Sequence, residues 1–321
     1  MRFSLCIYPL ILGILVLPIS VHAEEEIPSL LNESLRATYQ ACIGIDEALY
    51  DLKKMAGINT AVTGVGTGLG AGALAVGIVK YSKDVQAESY EKLLDELREM
   101  TKNANAQTLS KDDIAKFESE FNLSYDSAVK DLQNYENELN KLNTQSKKLG
   151  NWRTGLLAGN AVTNVAGAVI SGTNRVDADL QGQIDNCKDS LKKLSVSIMQ
   201  AKINGEDVSE AQNIYNTCRE YDFVDISKIN KRAKGATISS IVGATTGISG
   251  TVTSYMANTD ETRNDNTDAG KKKEKNLNLA SNILAGASTA ASATATVFNA
   301  SQIKAIKDVA SVAAKCSEVL R

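Results

Sequence analysis

Four kinds of residue in this sequence could do chemistry: paired cysteines, a glycine run, an acid-rich turn and a lysine cluster. The glycine run, Gly70-Ala71-Gly72-Ala73-Leu74-Ala75, matches a loose dinucleotide-binding fingerprint. That fingerprint holds a phosphate only when it follows a strand and opens a helix in a βαβ unit. Here it lies inside a long uncharged stretch, so we predict no cofactor site.

The acid-rich turn runs from Asp260 to Gly270 and offers the oxygen ligands that Ca²⁺ prefers. An EF-hand loop needs a glycine directly after Asn264, Asn266 and Asp268, but the glycine is displaced to Gly270 and the bidentate Glu is missing. We predict a solvated turn and no metal site.

The lysine cluster directly follows that turn and could contact anionic lipid or nucleic acid. Aromatic residues are not interleaved with these lysines, as a nucleic-acid interface would require, so we predict a solvated charge run and no nucleic-acid partner. The cluster comprises Lys271, Lys272, Lys273 and Lys275.

The first 23 residues have the features of a secretory signal peptide. Arg2 precedes an apolar run, and the small-residue cleavage site ends at Ala23. Its removal eliminates His22, the one histidine of the chain. A mature chain without histidine has no Ser-His-Asp, Cys-His or histidine-metal site. The absence of these sites predicts that the protein is not an enzyme. The signal peptide predicts that it is secreted or periplasmic, and the alternative for the first 23 residues is an uncleaved membrane anchor.

Helix is the predicted state of the remaining chain, because no proline follows Pro28. Four uncharged stretches punctuate it, at 55–79, 154–174, 235–259 and 276–303. Small residues recur every fourth position within them, and such a stripe lets a second helix approach closely. The helix-packing glycines of this predicted zipper are Gly64, Gly68, Gly72, Gly155, Gly159, Gly167, Gly235, Gly243, Gly247 and Gly286.

The cysteines bracket these stretches in pairs. Facing residues of an antiparallel hairpin have a nearly constant sum of residue numbers, about 232 for the first two stretch centres and about 536 for the last two. Cys42 and Cys187 sum to 229, and Cys218 and Cys316 sum to 534. Four cysteines allow three connectivities, and these sums favour Cys42 with Cys187 and Cys218 with Cys316.

We predict an all-α fold, an elongated antiparallel bundle of two duplicated glycine-zipper hairpins with coiled-coil-like packing. Residues 24–203 form the first hairpin, with a long polar tip near 103–129, and residues 204–321 form the shorter second one, with its tip at 258–275. The similarity of 156–159 to 283–286 supports the duplication.

Two local signals mark the junction between the two hairpins. Asn204-Gly205 predicts a turn, and Ser209 with Gln212 predicts a capping box for the next helix.

Two functions follow from this architecture. The first is an exported, non-enzymatic, disulfide-stapled rod that binds an unknown protein partner or itself, with no small-molecule substrate. The alternative is a membrane-inserting protein of the pore-forming or translocator kind, for which Trp152 and Tyr81 would mark one interface. Polar residues in the stretches, among them Asn160 and Asn164, weaken partitioning into hydrocarbon and argue for the first function.

Overall fold

A computed structural model describes residues 30–102, 125–265 and 267–321 of the chain. The predicted signal peptide and most of the first tip lie outside these residues. Within them the all-α prediction is confirmed. The helices are α1 (Leu30–Cys42), α2 (Ile45–Lys102), α3 (Tyr125–Thr173), α4 (Ala178–Ile203), α5 (Ser209–Cys218), α6 (Ser227–Ala257), α7 (Asp260–Arg263) and α8 (Asp268–Leu320), with a 3₁₀ turn at Arg219–Phe223.

Local sequence signals set several of the helix ends. Asp177 caps α4 by accepting a hydrogen bond from the Leu180 amide, and Thr267 caps α8 in the same way. The turn after α4 has Gly205 at φ +78°, a conformation that suits glycine. The predicted Ser209 capping box is wrong, because the Ser209 hydroxyl and amide both bond to Asp207.

The second tip is also shorter than predicted. Helix α6 ends at Ala257, and α8 begins at Asp268, so Lys271 to Lys275 belong to a helix and not to the turn. Thr267 can start the helix early because its side chain satisfies the amide of Gly270.

Four long helices form the main body of the molecule. Helix α2 packs antiparallel to α3 and to α8, and α6 packs antiparallel to the same two helices. Helices α3 and α8 also face each other across the bundle axis, where Asn160 contacts Ser288 and Asn164 contacts Ser292. At 58 residues α2 extends roughly 87 Å, so the bundle is elongated.

One end of the bundle, the base, has an ordinary apolar core. Short helices α1, α4 and α5 pack there, and buried side chains such as Ile45, Ile184, Ile229 and Ile306 fill the interior. Both cysteine pairs lie at this end within disulfide distance, Cys42 with Cys187 and Cys218 with Cys316, at Cα separations of 4.8 and 4.7 Å. We call the opposite end of the bundle the tip end.

Candidate functional site

The buried positions of the four long helices follow a three-four spacing, which is the pattern of coiled-coil packing. In α2 these positions run from Asn59 to Lys80, and only one of them, Ala73, has an ordinary apolar side chain. The set is Asn59, Thr63, Gly66, Gly70, Ala73, Gly77 and Lys80. The middle of the bundle is therefore built on glycine and polar residues.

Hydrogen-bonded polar layers fill the bundle axis nearest the base. Asn59 donates to Ser171 and, at 3.0 Å, to Asn299, while Asn299 donates to Thr63. Ser240 lies at the same level, because it borders Gly167 together with Thr63 and Asn59, but its hydroxyl forms no hydrogen bond with the described residues. All five side chains are buried, and they come from all four helices.

The next layers toward the tip end repeat this arrangement. Asn160 donates to the Gly66 carbonyl at 2.7 Å and accepts from Ser288 at 2.6 Å. Asn164 donates to Ser292 at 2.7 Å. We call the whole set the polar core: Asn59, Thr63, Asn160, Asn164, Ser171, Ser240, Ser288, Ser292 and Asn299.

A single apolar level follows the polar core. Ala73, Leu157 and Ala285 pack together there, and all three are fully buried. The level separates the neutral polar core from a charged cluster at the tip end.

The charged cluster has two fully buried cations, Lys80 and Arg153. Lys80 pairs with Asp84 at 2.7 Å and lies 3.7 Å from Glu274. Burial raises the pKa of Glu274, and the positive charge of Lys80 opposes that shift. These groups connect α2 to α8.

Each of the three side-chain nitrogens of Arg153 donates to a neutral side chain. Arg153 donates to Ser254 at 3.0 Å, to Asn282 at 3.1 Å and to Asn278 at 2.7 Å. The guanidinium therefore joins α3 to α6 and α8 through dipoles. The side-chain oxygens of Asn278 and Asn282 accept their hydrogen bonds from it, whereas the Ser254 hydroxyl also bonds to Thr154.

The outer surface of the same segment is apolar. Val162 has 68% of its surface exposed and Val297 also 68%, although large apolar side chains in a water-soluble bundle normally face inward. We call this surface the apolar belt: Ile58, Val65, Ile78, Val79, Val162, Val165, Val169, Ile238, Ile241, Val242, Ile248, Val252, Leu279, Ile283 and Val297. The bundle is thus polar inside and apolar outside over its middle.

Threonines on the outer surface have their hydroxyls satisfied within their own helix. Thr67 donates to the Thr63 carbonyl at 3.0 Å, Thr245 to Ile241 at 2.9 Å and Thr294 to Ala290 at 2.8 Å. A hydroxyl bonded in this way presents mainly its methyl group to the surroundings and loses little on leaving water. These threonines are therefore compatible with an apolar environment.

The belt ends at the same level on all four helices. Its uncharged segments have about 25 residues each, equivalent to roughly 37 Å of helix. At the tip end three exposed aromatic residues lie at the level of its edge. Trp152 is next to Arg153 in sequence, Tyr255 is next to Ser254, which accepts a hydrogen bond from Arg153, and Tyr81 is next to Lys80. The level of Trp152 and Tyr81 is the one that the hairpin register predicts.

The glycines predicted as a zipper fall into three groups. A Cβ on Gly167, Gly235, Gly243 or Gly247 would lie 2.6 to 3.2 Å from atoms of a neighbouring helix. Gly72 and Gly159 are in leucine contact, at 3.6 and 3.1 Å. Open space surrounds Gly64, Gly68, Gly155 and Gly286.

Sequence reasoning missed other glycines at the closest helix contacts. Gly66 faces Thr163, and Gly250 lies between Leu284 and Leu157. Gly70, Gly77 and Gly150 have similarly close neighbours. In α2, a three-four spacing predicts Gly66, Gly70 and Gly77 as buried positions. A spacing of four residues instead selects glycines such as Gly64 and Gly68, which lie on the outer face of the helix.

Two helical ranges are long and apolar enough to cross a membrane by length and composition, Leu30–Lys92 and Gln133–Ile203. Only 28% and 33% of their most apolar windows is buried, whereas a core helix of a soluble protein is mostly buried. No group of three or more His, Cys, Asp or Glu within the described ranges could hold a metal ion. No family model, curated protein or solved structure matches this chain.

Proposed function

We propose that this protein is an exported, non-enzymatic helical bundle that inserts into a lipid bilayer through its apolar belt. The observation that carries the proposal is the reversed distribution of polarity, with asparagines and serines inside and valines and isoleucines outside. In water this arrangement exposes apolar surface and buries polar groups, and both cost free energy. In hydrocarbon, where helices associate through small residues and hydrogen bonds, the same arrangement is favourable.

The dimensions of the belt support the proposal. Its roughly 37 Å exceeds the ~30 Å hydrocarbon thickness of a bilayer, which leaves about 3.5 Å, or roughly two residues, at each edge for the headgroups. Trp152, Tyr81 and Tyr255 would then lie at one interface, where aromatic side chains are enriched.

The buried asparagines that argued against insertion now support it. Asn160 and Asn164 face the bundle axis and bond to neighbouring helices, so neither side chain would meet lipid. Because the whole bundle is shielded by its outer surface, the hydropathy of single helices underestimates how well the assembled bundle partitions.

Two matched substitutions test this function. Val162 lies midway along its belt segment, and Val196 is similarly exposed, at 59%, on α4 outside the belt. A charge near the bilayer centre costs about 3 kcal/mol of insertion free energy. We therefore expect Val162→Glu to lower the partition constant into liposomes, measured by flotation, by a factor of roughly 100. Val196→Glu should float like the wild type.

Tryptophan fluorescence provides a second readout, because Trp152 is the only tryptophan. On insertion its emission should shift to shorter wavelength, and lipids with a quencher near the headgroup should quench it more strongly than lipids quenched at the chain end. Equal, alkali-resistant flotation of Val162→Glu and wild type, with no change in Trp152 emission, would refute insertion through the belt.

A second proposal keeps the water-soluble rod, with its partner protein or a second copy covering the exposed surface. The specific observation in its favour is that only two of the four belt helices lie in ranges apolar enough to cross a membrane on their own. Protein that remains at the bottom of the flotation gradient and elutes as one species would support the rod.

A further inference from the structure

A ring of cations borders the apolar belt on the side of the base. Helix contacts bring its members to one level: Asn230 of α6 bonds to the Val176 backbone, Arg232 donates to the Ser301 carbonyl, and Gln302 donates to the Asn174 carbonyl. We call this set the basic ring: Lys53, Lys54, Arg175, Lys231, Arg232, Lys234, Lys304 and Lys307.

No cation of the basic ring forms an ion pair within the described part of the chain, although Asp51, Asp177 and Asp308 lie in the same turns. Asp177 instead caps α4. Asp225 interacts electrostatically with Lys231 without forming an ion pair with it. Arg175 and Arg232 are half-buried and donate to neutral acceptors, the Thr237 hydroxyl and the Ser301 carbonyl.

The opposite edge of the belt is different. Three lysines at the tip end are paired with carboxylates: Lys147 with Asp260, Lys271 with Glu91 at 2.8 Å, and Lys275 with Glu88 at 3.9 Å. Three others there, Lys148, Lys272 and Lys273, form no ion pair among the described residues, compared with all eight cations of the basic ring. More unpaired positive charge therefore lies at the edge of the belt nearest the base, where it can attract an anionic surface.

The position of the ring identifies that surface. Lys54 directly precedes the exposed Met55, and Lys234 lies four residues before the exposed Ile238 of the belt. When the belt enters hydrocarbon, these ammonium groups reach the headgroup level, because long cationic side chains extend along apolar surface to keep their charge in water. The anions available at that depth are lipid phosphates.

We propose that the basic ring binds anionic phospholipid headgroups, and that it holds the base in the leaflet that the protein first meets. The inference rests on the proposed insertion and adds its lipid class and its direction. The cysteine-paired base remains on the near side, and the tip end crosses.

Two sextuple variants with the same change in net charge test the inference. Both replace exposed or partly exposed lysines, so both should keep the helical content of the wild type by circular dichroism. The ring variant is Lys53→Gln, Lys54→Gln, Lys231→Gln, Lys234→Gln, Lys304→Gln and Lys307→Gln, and the tip variant is Lys147→Gln, Lys148→Gln, Lys271→Gln, Lys272→Gln, Lys273→Gln and Lys275→Gln.

Flotation is measured with phosphatidylcholine vesicles, with and without phosphatidylglycerol, and Trp152 emission is recorded for the same samples. Each cation near an anionic surface strengthens binding about fivefold, so the wild type should prefer the anionic vesicles by at least tenfold. The ring variant should lose this preference, and the tip variant should retain it.

The outcomes separate this inference from the proposed function. Equal flotation of the wild type on both lipids would overturn the proposed headgroup binding by the basic ring, and so would an unchanged preference of the ring variant for anionic vesicles. Either result would leave the proposed insertion intact. Failure of every protein to float on either lipid, with Trp152 emission unchanged, overturns both.

Discussion

A single methyl group at Gly247 should test the close helix contacts that make a polar core possible. A Cβ there would lie 3.1 Å from Ser288 Oγ and 3.2 Å from both the Cα and the Cβ of Ala161. Ser288 cannot turn away without losing hydrogen bonding, since its hydroxyl lies 2.6 Å from the Asn160 Oδ1 and 2.7 Å from the Gly243 carbonyl oxygen, and either oxygen can accept its one proton. Accommodating Gly247→Ala therefore requires α3 to move.

The matched control is Gly68→Ala, because a Cβ at Gly68 meets open space. Both substitutions gain about 0.5 to 1 kcal/mol in helix propensity. Only Gly247→Ala adds an overpacking cost, typically 1 to 3 kcal/mol. We expect Gly68→Ala to raise the free energy of unfolding and Gly247→Ala to leave it unchanged or to lower it by up to about 2 kcal/mol.

The assay is guanidinium unfolding of residues 24–321 in one mild detergent, followed by circular dichroism under non-reducing conditions. The quantity compared is the difference in the free energy of unfolding between the two variants, which we expect to be about 1 to 3 kcal/mol. The comparison requires that both variants have the same dependence of that free energy on guanidinium concentration. Equal stabilisation by both substitutions would show that α3 and α6 are not in close contact at Gly247, and the described packing would be wrong.

Three further predictions concern other parts of the bundle. Arg153→Met should lower the free energy of unfolding by about 3 kcal/mol, because it leaves buried oxygens without donors, whereas Lys147→Gln on the surface should change it little; denaturant titration measures both. Replacing Cys218 and Cys316 with alanine should lower the free energy of unfolding by roughly 4 kcal/mol, since their bond would close a loop of about 100 residues. In the presence of reductant, which removes this bond from the wild type as well, the variant and the wild type should be equally stable. A hydrogen bond from Ser227 lowers the pKa of Asp225 in the folded state, so the stability that this bond contributes is present at neutral pH and is lost as pH falls through that pKa. Thermal melts of Asp225→Ala should therefore differ from those of the wild type at neutral pH, and the difference should shrink steadily as the pH is lowered into the acid range.

Much of the architecture could be predicted from the sequence because it depends on chain geometry. The sums of residue numbers place Cys42 opposite Cys187 and Trp152 at the level of Tyr81, and the structure has both arrangements. Such registers follow from the helix rise and from where the chain reverses, whatever the solvent.

The side of each helix that faces the bundle axis could not be predicted in the same way. Interpreting Asn160 and Asn164 as obstacles to insertion assumed that each helix meets lipid alone, whereas the structure turns both side chains to the bundle axis. The zipper pattern likewise selected Gly64 and Gly68, which face outward, because glycine and alanine occur on every side of α2. When both faces are rich in small residues, spacing alone does not identify the buried one.

The placement of the two cysteine pairs has a mechanical consequence if both pairs are oxidised. One bond then joins α1 to α4, and the other joins α5 to α8. Tension applied between Leu30 and Arg321 would pass through these two covalent bonds and through the segment from Cys187 to Cys218. Apart from the last residues of α8, from Cys316 to Leu320, the four long helices would lie outside the force path, so pulling on the chain would stretch only the base and would leave the bundle folded.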